Sequence, residues 1–144
     1  MAQIAPGSRV MLAHGPRAIG THTERPERAL PGISRLDGQT GALMVVEQRA
    51  FWPMLFADPA QQPMEVTPKS KRLSQSLGGP VDFALLAEAS HSPATLKQAP
   101  YLKNWRADFD AVLLLDPPAV LPSTPEGLTP VHAEPVAVLY RIQH

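Results

Sequence analysis

Residues 110 to 116, Asp-Ala-Val-Leu-Leu-Leu-Asp, place five consecutive apolar side chains between two carboxylates, and Pro117-Pro118 follows at once. An uninterrupted apolar run of this length predicts a strand covered on both faces. The prolines, which cannot donate to a sheet ladder, predict where it stops. Immediately upstream, Pro100 to Phe109 sets Leu102, Trp105 and Phe109 at steps of three and four, with Lys103, Asn104, Arg106 and Asp108 off that stripe. That spacing predicts a short helix with one apolar face feeding directly into the buried strand.

Working outward, Ser8 to His14 follows a Pro6-Gly7 turn signal and reads as a first strand, and Ala42 to Gln48, β-branched at its centre, as a second. Val136 to Ile142 supplies a closing strand, able to pair antiparallel at an edge. Lys69 to Leu77 and Pro80 to Ala89 read as amphipathic helices, the latter with Pro80 at its first position and Val81, Leu85 and Glu88 on one face. A helical turn is expected near Ile33 to Leu36, whereas Gly15 to Gly32 and Pro117 to Pro135 show little periodicity and read as loops. The expectation is an α/β domain spanning residues 1–144: a small, Rossmann-like, mostly parallel sheet of about four or five strands flanked by helices. Seventeen prolines in 144 residues, against a usual ~5 per cent, predict long, stiff, Pro-rich loops.

Composition narrows the function classes. Thirteen basic residues balance thirteen acidic ones, so no net positive field draws in a polyanion, and nucleic acid is not an expected partner. Cysteine is absent, which removes disulfides, thiolate metal sites and cysteine nucleophiles together. No apolar run approaches the roughly 20 residues of a membrane span, and no basic segment followed by an apolar run opens the chain. The residues as given predict a soluble chain without a secretory signal.

Few motifs carry chemistry. Gly78-Gly79 lacks the lysine of a phosphate loop, and no GxGxxG or GxSxG run occurs. His14, His22, His91, His132 and His144 include no pair at the spacing that sets two ligands on one helix face, so neither metal nor cofactor is expected. The remaining site argument is topological. Ligands of open parallel sheets lie beyond the carboxyl ends of the strands, and those ends carry His14, Gln48 with Arg49, and Asp116. Polar residues meet loops at any strand end, so convergence needs the strands to be neighbours. Asp110, two residues from Asp108, is expected to end the helix or bond a nearby backbone amide.

The stretch from Arg49 to Pro63, RAFWPMLFADPAQQP, concentrates three of the chain's six Phe and Trp residues in six positions. If Pro53 opens a helical turn, Phe51, Trp52, Leu55 and Phe56 form one stripe, and packing on the sheet is the first reading. The competing reading is an aromatic platform for a sugar ring or a protein neighbour, with Trp52 as its face and Gln61 and Gln62 as adaptable hydrogen-bonding groups.

Four pieces in this order, Ser8-Arg-Val-Met-Leu12, Gln48-Arg-Ala-Phe-Trp-Pro-Met-Leu-Phe56 with Gln61-Gln-Pro63, Tyr101-Leu-Lys-Asn-Trp105 with Phe109-Asp-Ala-Val-Leu-Leu-Leu115, and Leu139-Tyr-Arg-Ile142, resemble the soluble C-terminal region of large uncharacterised bacterial multi-spanning membrane proteins described as membrane-embedded glycosyltransferases. The resemblance covers about a quarter of the residues and includes no catalytic signature. It implies an extracytoplasmic, periplasmic accessory domain tethered to the membrane, whose partners are the parent transmembrane region or membrane-associated glycan machinery, and a glycan. Catalysis would then reside in loops of the membrane portion, and no catalytic residue carries over. A chain complete as given would instead be a cytoplasmic small enzyme or ligand-binding protein with its site at the strand ends, His14 acting as general acid or base and Asp116 orienting it.

Overall fold

The computed structural model describes residues 4–15, 45–50, 68, 81–89, 91–118 and 124–144. Its centre is one five-stranded mixed sheet in the order β2-β1-β3-β5-β4, formed by β1 (Val10–His14), β2 (Val81–Asp82), β3 (Ala111–Leu115), β4 (Leu128–Glu134) and β5 (Ala137–Ile142). The first strand lies between β2 and β3 and runs parallel to both, whereas β5 is antiparallel to β3 and to β4. The protein is therefore α/β, with a sheet that is parallel in one half and antiparallel in the other rather than mostly parallel.

The run that predicts β3 is buried at all five positions, because each face of the sheet meets its own cluster. Met11, Ala13, Val112, Leu114, Val138, Tyr140 and Ile142 point to one face. There they meet α1 (Phe83–Ala89), the 3₁₀ turn Pro100–Asn104 and α3 (Trp105–Asp108), which with α2 (Pro93–Gln98) form the crossover from β2 to β3. Phe83 and Tyr140 stack at 5.4 Å between ring centroids. On the other face Val10, Leu12, Ala111, Leu113, Leu115 and Leu139 pack with Ile4 and Ala50. Each fully buried leucine in these layers contributes roughly 1.5–3 kcal/mol by leaving water.

The stripe Leu102, Trp105 and Phe109 is buried as its spacing predicts, although its first half is 3₁₀ rather than α. The helix expected from Pro80 starts later. Val81 and Asp82 extend as β2, and a carboxylate oxygen of Asp82 accepts from the Ala84 amide at 2.9 Å, capping α1 at Phe83. That offset turns Phe83, Leu86 and Ala89 inward and leaves Glu88 exposed, replacing the expected face. The following helix, α2, has no apolar period long enough to announce it. Its signal is the dipeptide Ser92-Pro93, where the serine hydroxyl accepts from the Thr95 amide and proline occupies the first helical turn.

In the described part of the second strand expected at 42–48, residues 45–48 make a helical turn in which Val46 is 78% exposed, and residues 42–44 lie outside the described residues. Both edges of β1 are already taken by β2 and β3, so this run cannot pair with β1. The expected loop before Pro135 is half strand, because β4 occupies Leu128–Glu134 and joins β5 through Pro135-Val136. Position β5 is consequently internal, and β4 forms the edge. The expected turn at 33–36, the helix at 69–77, the loop residues 16–32 and the aromatic segment from Phe51 to Pro63 lie outside the described residues. Among the described residues no helix is long and apolar enough to cross a membrane.

Candidate functional site

The chain sends its second strand to one side of β1 and its third to the other, which makes the β1/β3 boundary the switch point of the parallel half. In sheets of this kind a crevice opens there beyond the carboxyl ends of the strands. Topology thus brings together two of the predicted residues: His14 ends β1, and Asp116 follows β3, whose Leu115 is the register partner of His14. It also adds a residue that the sequence reading missed, Asp82, which is paired in register with His14 across the β1/β2 boundary. The missed signal was the two-residue strand itself, too short for any period to reveal.

Each of these groups is tied to backbone. His14 Nδ1 lies 2.6 Å from the Gly15 carbonyl; a carbonyl only accepts, so Nδ1 carries a proton, and in the neutral tautomer with this bond Nε2 is the acceptor. Asp82 is committed to the cap of α1. Asp116 adopts φ of +52°, a left-handed conformation uncommon for a residue with a side chain, and its amide donates to the Val136 carbonyl at 2.9 Å. Between the two strand ends the backbones touch. The Gly15 amide donates to the Leu115 carbonyl at 3.2 Å. A Cβ placed on Gly15 would stand 2.6 Å from the Asp116 carbonyl oxygen and 3.0 Å from Pro118 Cδ. Glycine is needed at position 15 for this approach.

Arg49 does not join them. It follows the helical turn at 45–48 with φ of +52°, in the manner of a helix C-terminus, and its carbonyl accepts from the Gly7 amide at 2.9 Å. Gly7 leads into the start of β1, so Arg49 belongs to the opposite end of the strand from His14. Trp52, Gln61 and Gln62 lie outside the described residues.

That opposite end holds an ion pair between Arg9 and Asp110. Asp110 accepts from the Arg9 amide at 2.7 Å, from its Nε at 3.2 Å and from its Nη2 at 2.9 Å. The carboxylate does bond a backbone amide, as expected, but one 101 residues away. Its guanidinium hydrogen bonds hold the Asp110 carboxyl below the usual carboxylate range, against a smaller opposing effect of burial, and hold Arg9 above its own ordinary value. His144 Nε2 stands 3.8 Å from Asp110 Oδ1.

Elsewhere, His132 Nε2 lies 3.2 Å from Glu134 Oε1 on the exposed β4. Burial raises the Tyr140 phenol above its ordinary value, with a partly offsetting hydrogen bond to Thr124. No group of three or more His, Cys, Asp or Glu residues that could hold a metal ion occurs among the described residues. The chain matches no family model, and no curated protein or solved structure shows significant similarity to it.

Proposed function

We propose that this chain is a non-catalytic accessory domain of a bacterial membrane protein of cell-surface glycan synthesis, packing on its parent or holding a glycan outside the cytoplasm. The four-part sequence resemblance supplies the family. The observation that supports the non-catalytic part is the close backbone approach at the switch point, where a Cβ on Gly15 would stand 2.6 Å from the Asp116 carbonyl oxygen. A Rossmann-like layering with Pro-rich loops belongs to the same reading, supported by the parallel β2-β1-β3 half and its crossover helices. The aromatic platform of Trp52 with Gln61 and Gln62 is the glycan-facing surface in this account.

An antibody raised against the domain, applied to fractionated source cells, tests it. A large membrane-bound polypeptide is the expected result. A band near 15.6 kDa in the soluble fraction would overturn the accessory-domain reading. One observation favours a second reading, a small enzyme at the strand ends: His14 has its Nδ1 anchored and Nε2 presented, as a general base requires. If an activity found for the chain survives both His14→Ala and Asp116→Ala, that second reading ends.

A further inference from the structure

The amino-terminal end of the sheet carries a cavity of about 340 Å³, at the small end of the range that small-molecule sites occupy. Its walls come from three separate parts of the chain: the segment from Ile4 to Ser8, the start of β3, and the β4/β5 hairpin. Ala111, Leu139 and Val131 give it an apolar side, and these residues belong to the cluster on that face of the sheet. Asp110, Arg141 and His144 give it a polar side.

The charge on that polar side decides what fits. Both oxygens of Asp110 are engaged by Arg9, so the carboxylate enters the cavity wall already neutralised and fixed in place. Arg141 is exposed, and no carboxylate among the described residues pairs with it. His144 lines the same cavity with its Nε2 3.8 Å from Asp110 Oδ1, and its imidazole is a second cation when protonated. The Arg141 guanidinium, without a carboxylate partner among the described residues, offers a planar fork of donors that matches an oxyanion, while the apolar wall favours a hydrocarbon portion.

We propose that this cavity binds a small amphiphilic oxyanion, with its head against Arg141 and His144 and its apolar tail over Ala111 and Leu139. The site is independent of any parent protein and lies at the opposite end of β1 from His14. Titration calorimetry of the 144-residue chain with hexyl phosphate tests the proposal, with inorganic phosphate and 1-hexanol as the two half-probes. Binding of hexyl phosphate is expected to exceed that of either half-probe by at least tenfold. It is expected to weaken at least tenfold in the Arg141→Ala/His144→Ala double variant, whose substituted side chains are exposed and whose fold is checked by circular dichroism. Equal binding by inorganic phosphate, unchanged affinity in the folded double variant, or no binding of hexyl phosphate to the folded chain would each overturn it. Displacement of bound hexyl phosphate by phosphatidic acid vesicles assigns the head to a lipid, and its retention in their presence assigns a free solute.

Discussion

The two ends of β1 solve the same problem, joining it to β3, in different ways. At the carboxyl end the contact is backbone on backbone: Gly15 against Leu115 and Asp116, with no side chain in between. At the amino end the Asp110 amide also donates to the Arg9 carbonyl at 2.9 Å, but a side-chain clamp is added, in which the Asp110 carboxylate accepts three hydrogen bonds from Arg9. A backbone contact resists any added atom but is indifferent to pH. A carboxylate clamp tolerates changes of size and fails when it is protonated. The difference teaches that the conventional ligand-binding end of this sheet is shaped by sterics, and the other end by charge.

The sharpest way to break the comparison is Gly15→Ala. The new methyl would meet a carbonyl oxygen that belongs to backbone and yields little, so a loss of about 2–3 kcal/mol is expected in urea unfolding. A loss below about 0.5 kcal/mol would mean that the two loops part readily, and would reopen the crevice as a ligand site.

The next largest effect belongs to the clamp. Asp110→Asn keeps the shape and removes the charge, with an expected cost of about 1–2 kcal/mol at neutral pH, discounted because roughly a third of the side chain is exposed. Since the folded state lowers this carboxyl, its stabilisation is present above the unfolded value near pH 4 and is lost as pH falls through the lower folded value. The variant should therefore show a shallower loss of stability in acid than the parent, read from unfolding midpoints between about pH 5 and pH 2. Identical acid profiles would remove the charge argument.

Asp82→Ala distinguishes the two uses of a carboxylate at the ends of the sheet. As a helix cap, Asp82 should cost about 1 kcal/mol on removal, with Asp82→Ser recovering most of it. Failure of serine to rescue would point to a role beside His14 instead.

Tyr140→Phe is expected to have the smallest effect at neutral pH, about 0.5–1 kcal/mol, because the ring stays packed on Phe83 and only the bond to Thr124 is lost. Burial raises this phenol. The parent therefore keeps the stabilisation of the neutral ring below about pH 10 and loses it as pH rises through the higher folded value, a loss the phenylalanine variant should not show.

Legibility in the sequence followed the length of each signal. The run from Ala111 to Leu115 needed only its own composition, and Leu102, Trp105 and Phe109 only their spacing. Strand β4 escaped because its side chains are mostly exposed and Pro130 interrupts it, so neither an apolar run nor an alternation marks it. The Val45-Val46 pair misled because β-branching states a preference, while a strand also needs an unoccupied neighbour. Of the candidate site, the adjacency of His14 and Asp116 followed from strand order alone. Arg49 was misplaced along with its false strand. The union of Arg9 with Asp110 joins residues too distant in the chain for any local pattern to relate them.

Proline 130 sits in the outermost strand, where the ladder shifts register between it and His132, and among the described residues the opposite border of the sheet is two residues long. An extended segment from another molecule thus finds an interrupted row of donors on one side and almost no row on the other. Among the described residues, strand addition is disfavoured at both borders.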